Sequence, residues 1–209
     1  MILYATMTAA CIAILHPVMH AVLASTFSSF AQHEHRLYIQ KNMVKATVLA
    51  VMMPSVIPLG YKALLQDQWD WDTIRQFGLL YGMCDGYALL RYYDLLHPST
   101  RFHHSIVSTF SIANWYITQD PWRQLNVFAA VSVFTFPVNV YLALRYLLRE
   151  TTKQRLIRFC WWVYTPAILF NVIYQGGVMW HSPSLLYGGI VGALFFDDYF
   201  LWRHLHRRK

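Results

Sequence analysis

The stretch "YGMCDGYALLRYYDLLHPSTRFHHSI", residues 81 to 106, decides how this chain is read. It opens inside an apolar run that holds Asp85, breaks at a turn, and resumes after Pro98 with His103 and His104 close together in the next apolar run. Proline is well placed at the first helical position, where the missing N–H would have gone unpaired anyway, so Pro98 marks a helix start. The expectation is a carboxylate in the middle of one helix and two imidazoles about one and a half turns into the next. A nearby polar loop would hold such groups at no penalty. Within apolar helices they call for a partner or a wet cavity.

Composition sets the surroundings of those helices. Of the 209 residues 56% are apolar, 17% aromatic and 13% charged. Soluble domains carry about a quarter charged residues, so this chain falls outside that class, and its mean hydropathy is positive at +0.31. Crossing a bilayer takes roughly 20 helical residues at ~1.5 Å rise each. Runs of that kind lie at about 6–30, 42–64, 73–95, 98–119, 124–147, 156–180 and 184–202. The fold class expected is therefore all-α, a polytopic transmembrane helical bundle of about seven spans. The first 32 residues carry no Lys or Arg and their apolar run is too long for a signal-peptide core, so the first span is expected to stay.

Charge supports this count. With seven spans, one side collects Arg36, Lys41, Lys45, Arg91, Arg101, Arg145, Arg149, Lys153, Arg155, Arg158, Arg203, Arg207, Arg208 and Lys209, fourteen basic residues, against Lys62, Arg75 and Arg123 on the other. Short loops rich in Lys and Arg stay cytosolic, which places the C-terminus in the cytosol and the N-terminus in the lumen or outside. The same distribution accounts for the net charge of +7 through topology and anionic headgroups, without nucleic acid as a partner. Trp69, Trp71, Trp115, Trp122 and Trp180 fall near the opposite ends, where indole rings act as interface anchors. Cys11, Cys84 and Cys160 are scattered through apolar segments and read as small core residues. The chain reads as a single domain: a first transmembrane helix in 1–35, the main body in 36–202 and a basic cytosolic tail in 203–209.

The intramembrane polar residues form a short list: Asp85, His103, His104, Asn139 beside Pro137, and Asp197 with Asp198. Counted from the basic ends at ~1.5 Å per residue, Asp85 lies roughly 15 Å deep and His104 roughly 9 Å, with Asn139 between, so these groups can meet. Adjacent helical residues diverge by about 100°, so one histidine is expected to face the centre and the other to pack at its margin. The bland reading makes each a peg between helices, and it applies most to Asp197 and Asp198 near the interface. The chemical reading is that a buried carboxylate orients an imidazole for base or nucleophilic work.

Those residues resemble the TLC-domain proteins, endoplasmic-reticulum membrane proteins that include the ceramide synthases and smaller lipid-handling members. The resemblance runs over roughly residues 36 to 202. Its sharpest part is an aromatic-x-x-x-Asp helix, here Tyr81 and Asp85, followed some 18 residues later by the His103–His104 pair. "TFPVNVYLALRYLL", with Pro137 and Asn139, is a weaker echo. The resemblance implies a TLC-like bundle around a cavity for a long acyl chain in the endoplasmic reticulum or a related endomembrane. It implies an acyltransferase moving that chain from acyl-CoA to a lipid amine or hydroxyl. His103, His104 and Asp85 would then be catalytic, and Tyr81, Asn139, Asp197, Asp198 and Ser108 would bind substrate. Membrane lipids and long-chain acyl-CoA are the implied partners, acyl-CoA serves as co-substrate with no further cofactor and no metal, and a homo-oligomer is compatible with the family. The basic loop 145–158 would face the CoA phosphates. The chain departs from the ceramide synthases in having Ser108 and Ser111 where those enzymes continue HHxxxDxxD, as do the smaller members. The alternative within the fold is a lipid-binding, sensing or transport protein without turnover.

Other chemistries fit less well. His16 and His20, four apart in "HPVMH", share a helix face and could chelate a metal, but di-iron oxidases need further histidine clusters at matching depth. These two read first as packing residues and second as cavity lining. "YGGIVG" in the last span suits close helix packing. Neither a G-x-S-x-G elbow nor H-E-x-x-H occurs.

Overall fold

The computed structural model describes residues 2–117, 119 and 121–208, and among these every regular element is helical. The α-helices are α1 (Ile2–Thr26), α2 (Arg36–Gln66), α3 (Trp71–Tyr92), α4 (Pro98–Tyr116), α5 (Leu125–Val131), α6 (Phe136–Leu144), α7 (Glu150–His181) and α8 (Leu185–Arg208). α5 and α6 form one interrupted rod, joined by a 3-10 turn over Ser132–Thr135. Pro137 explains the break. It has no N–H to return to Val133, and its ring crowds that carbonyl. Asn139 Nδ2 donates to the Thr135 carbonyl at 3.1 Å, and Cys160 Sγ on α7 lies 3.1 Å from the Pro137 carbonyl.

Helix boundaries follow local chemistry. Asp70 caps α3, its carboxylate accepting from the Thr73 hydroxyl at 2.7 Å and the Thr73 N–H at 3.1 Å, and those bonds hold its carboxyl below the ordinary value. Pro98 opens α4 as expected, with His97 as its N-cap. α2 starts at Arg36, six residues before the expected start of that span.

Five rods are long and apolar enough to cross a membrane: Leu3–Thr26, Arg36–Gln66, Trp122–Leu144, Glu150–His181 and Leu185–Arg208. Their outer faces carry exposed apolar side chains, such as Val51 and Ile57 on α2 and Leu169 and Ile173 on α7. Buried among the helices are Gln40, Asn42, Asp85, His103, His104, Asn139, Asn171 and Gln175. An apolar exterior around a polar interior suits lipid and would be insoluble in water. The protein is an integral membrane protein. α3 and α4 fall outside the five because their polar residues lower their hydropathy, yet they pack closely together, and α3 also touches α1, α2 and α5.

Small residues set the α3–α4 approach. A Cβ added at Gly82 would collide with the Cβ and Oγ of Ser111 and come within 3.3 Å of the Val107 carbonyl. Gly82→Ala is expected to cost about 1–3 kcal/mol by forcing the helices apart; equilibrium unfolding in detergent measures it, and no loss would mean the helices separate freely. Gly189 and Gly192 of "YGGIVG", by contrast, have open space where a Cβ would stand, and Gly188 meets only the Met179 side chain. That glycine cluster does not bring helices together, contrary to the sequence expectation. Cys84 and Cys160 are buried core residues as expected, whereas Cys11 is exposed.

Candidate functional site

The helices enclose a cavity of about 470 Å³, within the range of about 300–1,000 Å³ usual for ligand pockets. It is lined from α1, α2, α3, α4, α6, α7 and α8, and Asp85, His103, His104, Tyr81, Asn139, Asp197 and Asp198 all contribute. Ser108 does not. Its hydroxyl donates to the Gly82 carbonyl at 3.0 Å, so the substrate-binding role expected for it is replaced by a bond between α3 and α4.

Asp85 is fully buried on α3. Its nearest charged partner is a residue that the sequence assigns to topology: Lys45 Nζ, from α2, stands 2.5 Å from Asp85 Oδ1. The same ammonium lies 4.3 Å from the centre of the Tyr81 ring, one turn of α3 before Asp85, so charge and ring quadrupole both hold it. His104 closes the other side. Its Nδ1 is 3.3 Å from the Asp85 backbone carbonyl and its Nε2 is 3.6 Å from Asp85 Oδ1. An imidazole that addresses one residue with both nitrogens is fixed in place. Asp85 Oδ2 is left buried without a hydrogen bond.

The second histidine has its own carboxylate. His103 Nδ1 lies 3.4 Å from Asp197 Oδ2 on α8, an ion-pair distance at which the hydrogen-bond geometry is not met. The 100° divergence thus sends His104 to α3 and His103 to α8, and both rings border the cavity instead of one retiring to its margin. Among the described residues nothing hydrogen-bonds to His103 Nε2. Asp198, the next residue, accepts a hydrogen bond from the Tyr164 hydroxyl of α7 at 2.7 Å. Of the Asp197–Asp198 pair, one therefore serves a histidine and the other bonds α8 to α7.

His16 also reaches the cavity. Its Nδ1 is 2.9 Å from the Tyr92 hydroxyl, its ring stacks on Tyr87 at 4.6 Å between centroids, and its carbonyl accepts from Gln40 Nε2 at 2.7 Å. It is both a packing residue and a cavity residue. His20 is exposed on the outer face, its ring edge-on to Phe30 at 5.3 Å. Among the described residues no three His, Cys, Asp or Glu side chains converge as a metal site.

The residues missed by sequence reasoning are Lys45, Tyr164 and, at the basic end of the cavity, Lys41 and Tyr38, which stand there with Arg145, the first residue of the basic loop. Lys45 carried a signal, since a mid-span aspartate needs a nearby cation. Tyr164 carried none, because tyrosines are common in these helices.

Together fold and site define an integral membrane bundle with a cavity lined by charged and polar side chains at the basic end of its helices. Comparison with protein-family models, curated proteins and solved structures gave no match. The likeness to the TLC-domain proteins rests on the residues that carry it.

Proposed function

We propose that the protein is a seven-span, TLC-like lipid acyltransferase of the endoplasmic reticulum or a related endomembrane, moving a long acyl chain from acyl-CoA to a lipid amine or hydroxyl. The observation that carries the reading is His103, which has a carboxylate at Nδ1, no partner at Nε2 among the described residues, and a cavity beside it. α3 and α4 are counted as spans because they lie among the five apolar rods and present their polar groups inward.

Asp197 orients the His103 ring with its proton on Nδ1, so Nε2 takes the proton of the acceptor amine or hydroxyl as that atom attacks the thioester carbonyl. The C–S bond then breaks, and the departing thiolate takes the proton back from the imidazolium. In the covalent variant Nε2 itself attacks the thioester and the C–S bond breaks to release the CoA thiolate; in a second step the acceptor attacks the acyl carbon, the imidazole leaves, and the acceptor's proton is carried away by the thiolate. Lys45, Asp85 and His104 form the fixed wall against which the reacting carbonyl is placed.

The experiment is incubation of the purified protein with palmitoyl-CoA and a membrane lipid extract, with free thiol measured and the protein weighed intact and after denaturation. Thiol release with an acylated lipid product supports transfer, and an acyl mass that survives denaturation and maps to His103 selects the covalent variant. A lipid that leaves on denaturation, with no thiol released, would sink the transferase reading. Carriage or sensing of lipid would then lead, a reading favoured by the fact that Lys45 already neutralises Asp85.

A further inference from the structure

The cavity contains three cations, Lys41, Lys45 and Arg145, and three carboxylates, Asp85, Asp197 and Asp198. They are not paired one to one. Asp85 is taken by Lys45, Asp197 faces His103 and Asp198 is held by Tyr164. Among the described residues no carboxylate lies within ion-pair distance of Lys41 or Arg145. These two stand at the basic end, Lys41 in the second turn of α2 and Arg145 directly after α6.

They also stand together. Lys41 Nζ is 5.2 Å and the Arg145 guanidinium 5.5 Å from the centre of the same Tyr38 ring. Arg145 lies 4.8 Å from the Tyr146 ring as well, and its Nη2 donates to the Tyr146 hydroxyl at 2.8 Å. The guanidinium is thereby clamped between two aromatic faces while its Nε, buried, has no hydrogen-bond acceptor. A buried guanidinium N–H without an acceptor is costly unless a ligand supplies one. A second cation flanking the same ring adds a like charge, which only an anion would offset.

We infer that Lys41 and Arg145, set about Tyr38, form a phosphate subsite at the basic mouth of the cavity. The ligand class is a phosphate ester or diphosphate whose hydrocarbon part lies deeper, toward Tyr81 and His103. A guanidinium gives planar, paired donors to phosphate oxygens and an ammonium adds a mobile point charge. The subsite rests on the cavity reading above and not on transfer itself. It also narrows the basic loop: Arg145 with Lys41 of α2 carries the contact, and the rest of 145–158 is left to topology.

Two sources offer this chemistry, the diphosphate of a soluble CoA compound and the headgroup of a phospholipid. The full-length protein in nanodiscs is titrated with coenzyme A, and in parallel its retention of phosphatidic acid is measured, for wild type, Lys41→Gln, Arg145→Gln and Arg145→Lys. Each neutral substitution is expected to weaken one of these ligands about tenfold, with Arg145→Lys recovering part of it. A loss confined to coenzyme A assigns the site to a soluble donor, and a loss confined to phosphatidic acid assigns it to a headgroup. Unchanged affinity for both, in variants that unfold at the wild-type temperature, overturns the subsite. Should a variant not fold, the salt dependence of wild-type coenzyme A and phosphatidic acid binding decides, because a phosphate held by two cations must weaken as salt rises. The subsite stands if these losses occur without thiol release from palmitoyl-CoA, and falls if transfer proceeds with both ligands indifferent to Lys41 and Arg145.

Discussion

Replacing Lys45 with methionine is expected to destabilise the protein by about 3–5 kcal/mol, since removing one partner of a buried ion pair strands the other. Asp85 is wholly buried and its Oδ2 has no hydrogen bond, so without the ammonium 2.5 Å from Oδ1 only His104, at 3.6 Å, remains to oppose its charge. Asp85→Asn strands the ammonium instead. It is expected to lower stability as well, so it reports on folding as much as on chemistry. The double change Lys45→Met with Asp85→Leu removes both charges and should recover most of the loss, because replacing a whole buried pair with apolar groups is often neutral. Unfolding of wild type, Lys45→Met, Asp85→Leu and the double variant in mixed micelles closes the cycle. If Lys45→Met alone lies within about half a kcal/mol of wild type, the pair is not coupled and Asp85 is satisfied by other means.

Lys45 shows where the sequence stopped being legible. The polar residues inside apolar runs were readable because each violates the local pattern, and depth counting brought Asp85, His104 and Asn139 within reach of one another, and all three line the cavity. Lys45 was hidden by a boundary. Arg36, Gln40 and Lys41 made the first turn of α2 look like loop, yet Gln40 is buried against neighbouring elements. Starting the helix at Arg36 carries Lys45 about 9 Å deeper at ~1.5 Å per residue, down to Asp85. A cation near a span end reads as a snorkelling or topology charge, and only the facing helix tells it from a pair.

The other departures share that cause. Ser108 and "YGGIVG" were judged by residue type, whereas their roles depend on which neighbour they face. Ser108 meets the Gly82 carbonyl, and Gly189 and Gly192 meet nothing. Gly78 and Gly82, which do mark close approach, against Asn126 and Ser111, look no different in sequence. Asp197 and Asp198 were rightly seen as possible pegs, but adjacent side chains on α8 split between a peg to Tyr164 and a partner for His103. Sequence spacing gives the divergence of two neighbours and not the identity of what each one meets.

The two histidines are expected to fail differently when removed, and this carries the largest effect on activity. His103→Ala should lower the proposed acyl transfer by about 10²–10⁴-fold, the usual contribution of a positioned general base, with stability close to wild type, because its Nδ1 makes no hydrogen bond that folding would lose. His104→Ala should lower stability as well, since that ring is held by both the backbone carbonyl and the carboxylate of Asp85. Asp197→Asn separates orientation from chemistry. An amide still fills the space beside His103 Nδ1 but no longer sets a charge against the ring, so activity should fall less than in His103→Ala. A purely structural role for Asp197 would lower stability and leave the rate of the folded protein unchanged. Rate and unfolding measured together on the three variants decide between the histidines. If His104→Ala abolishes transfer at unchanged stability while His103→Ala retains it, the reactive nitrogen lies on the α3 side of the cavity and Asp85, with Lys45, becomes its partner.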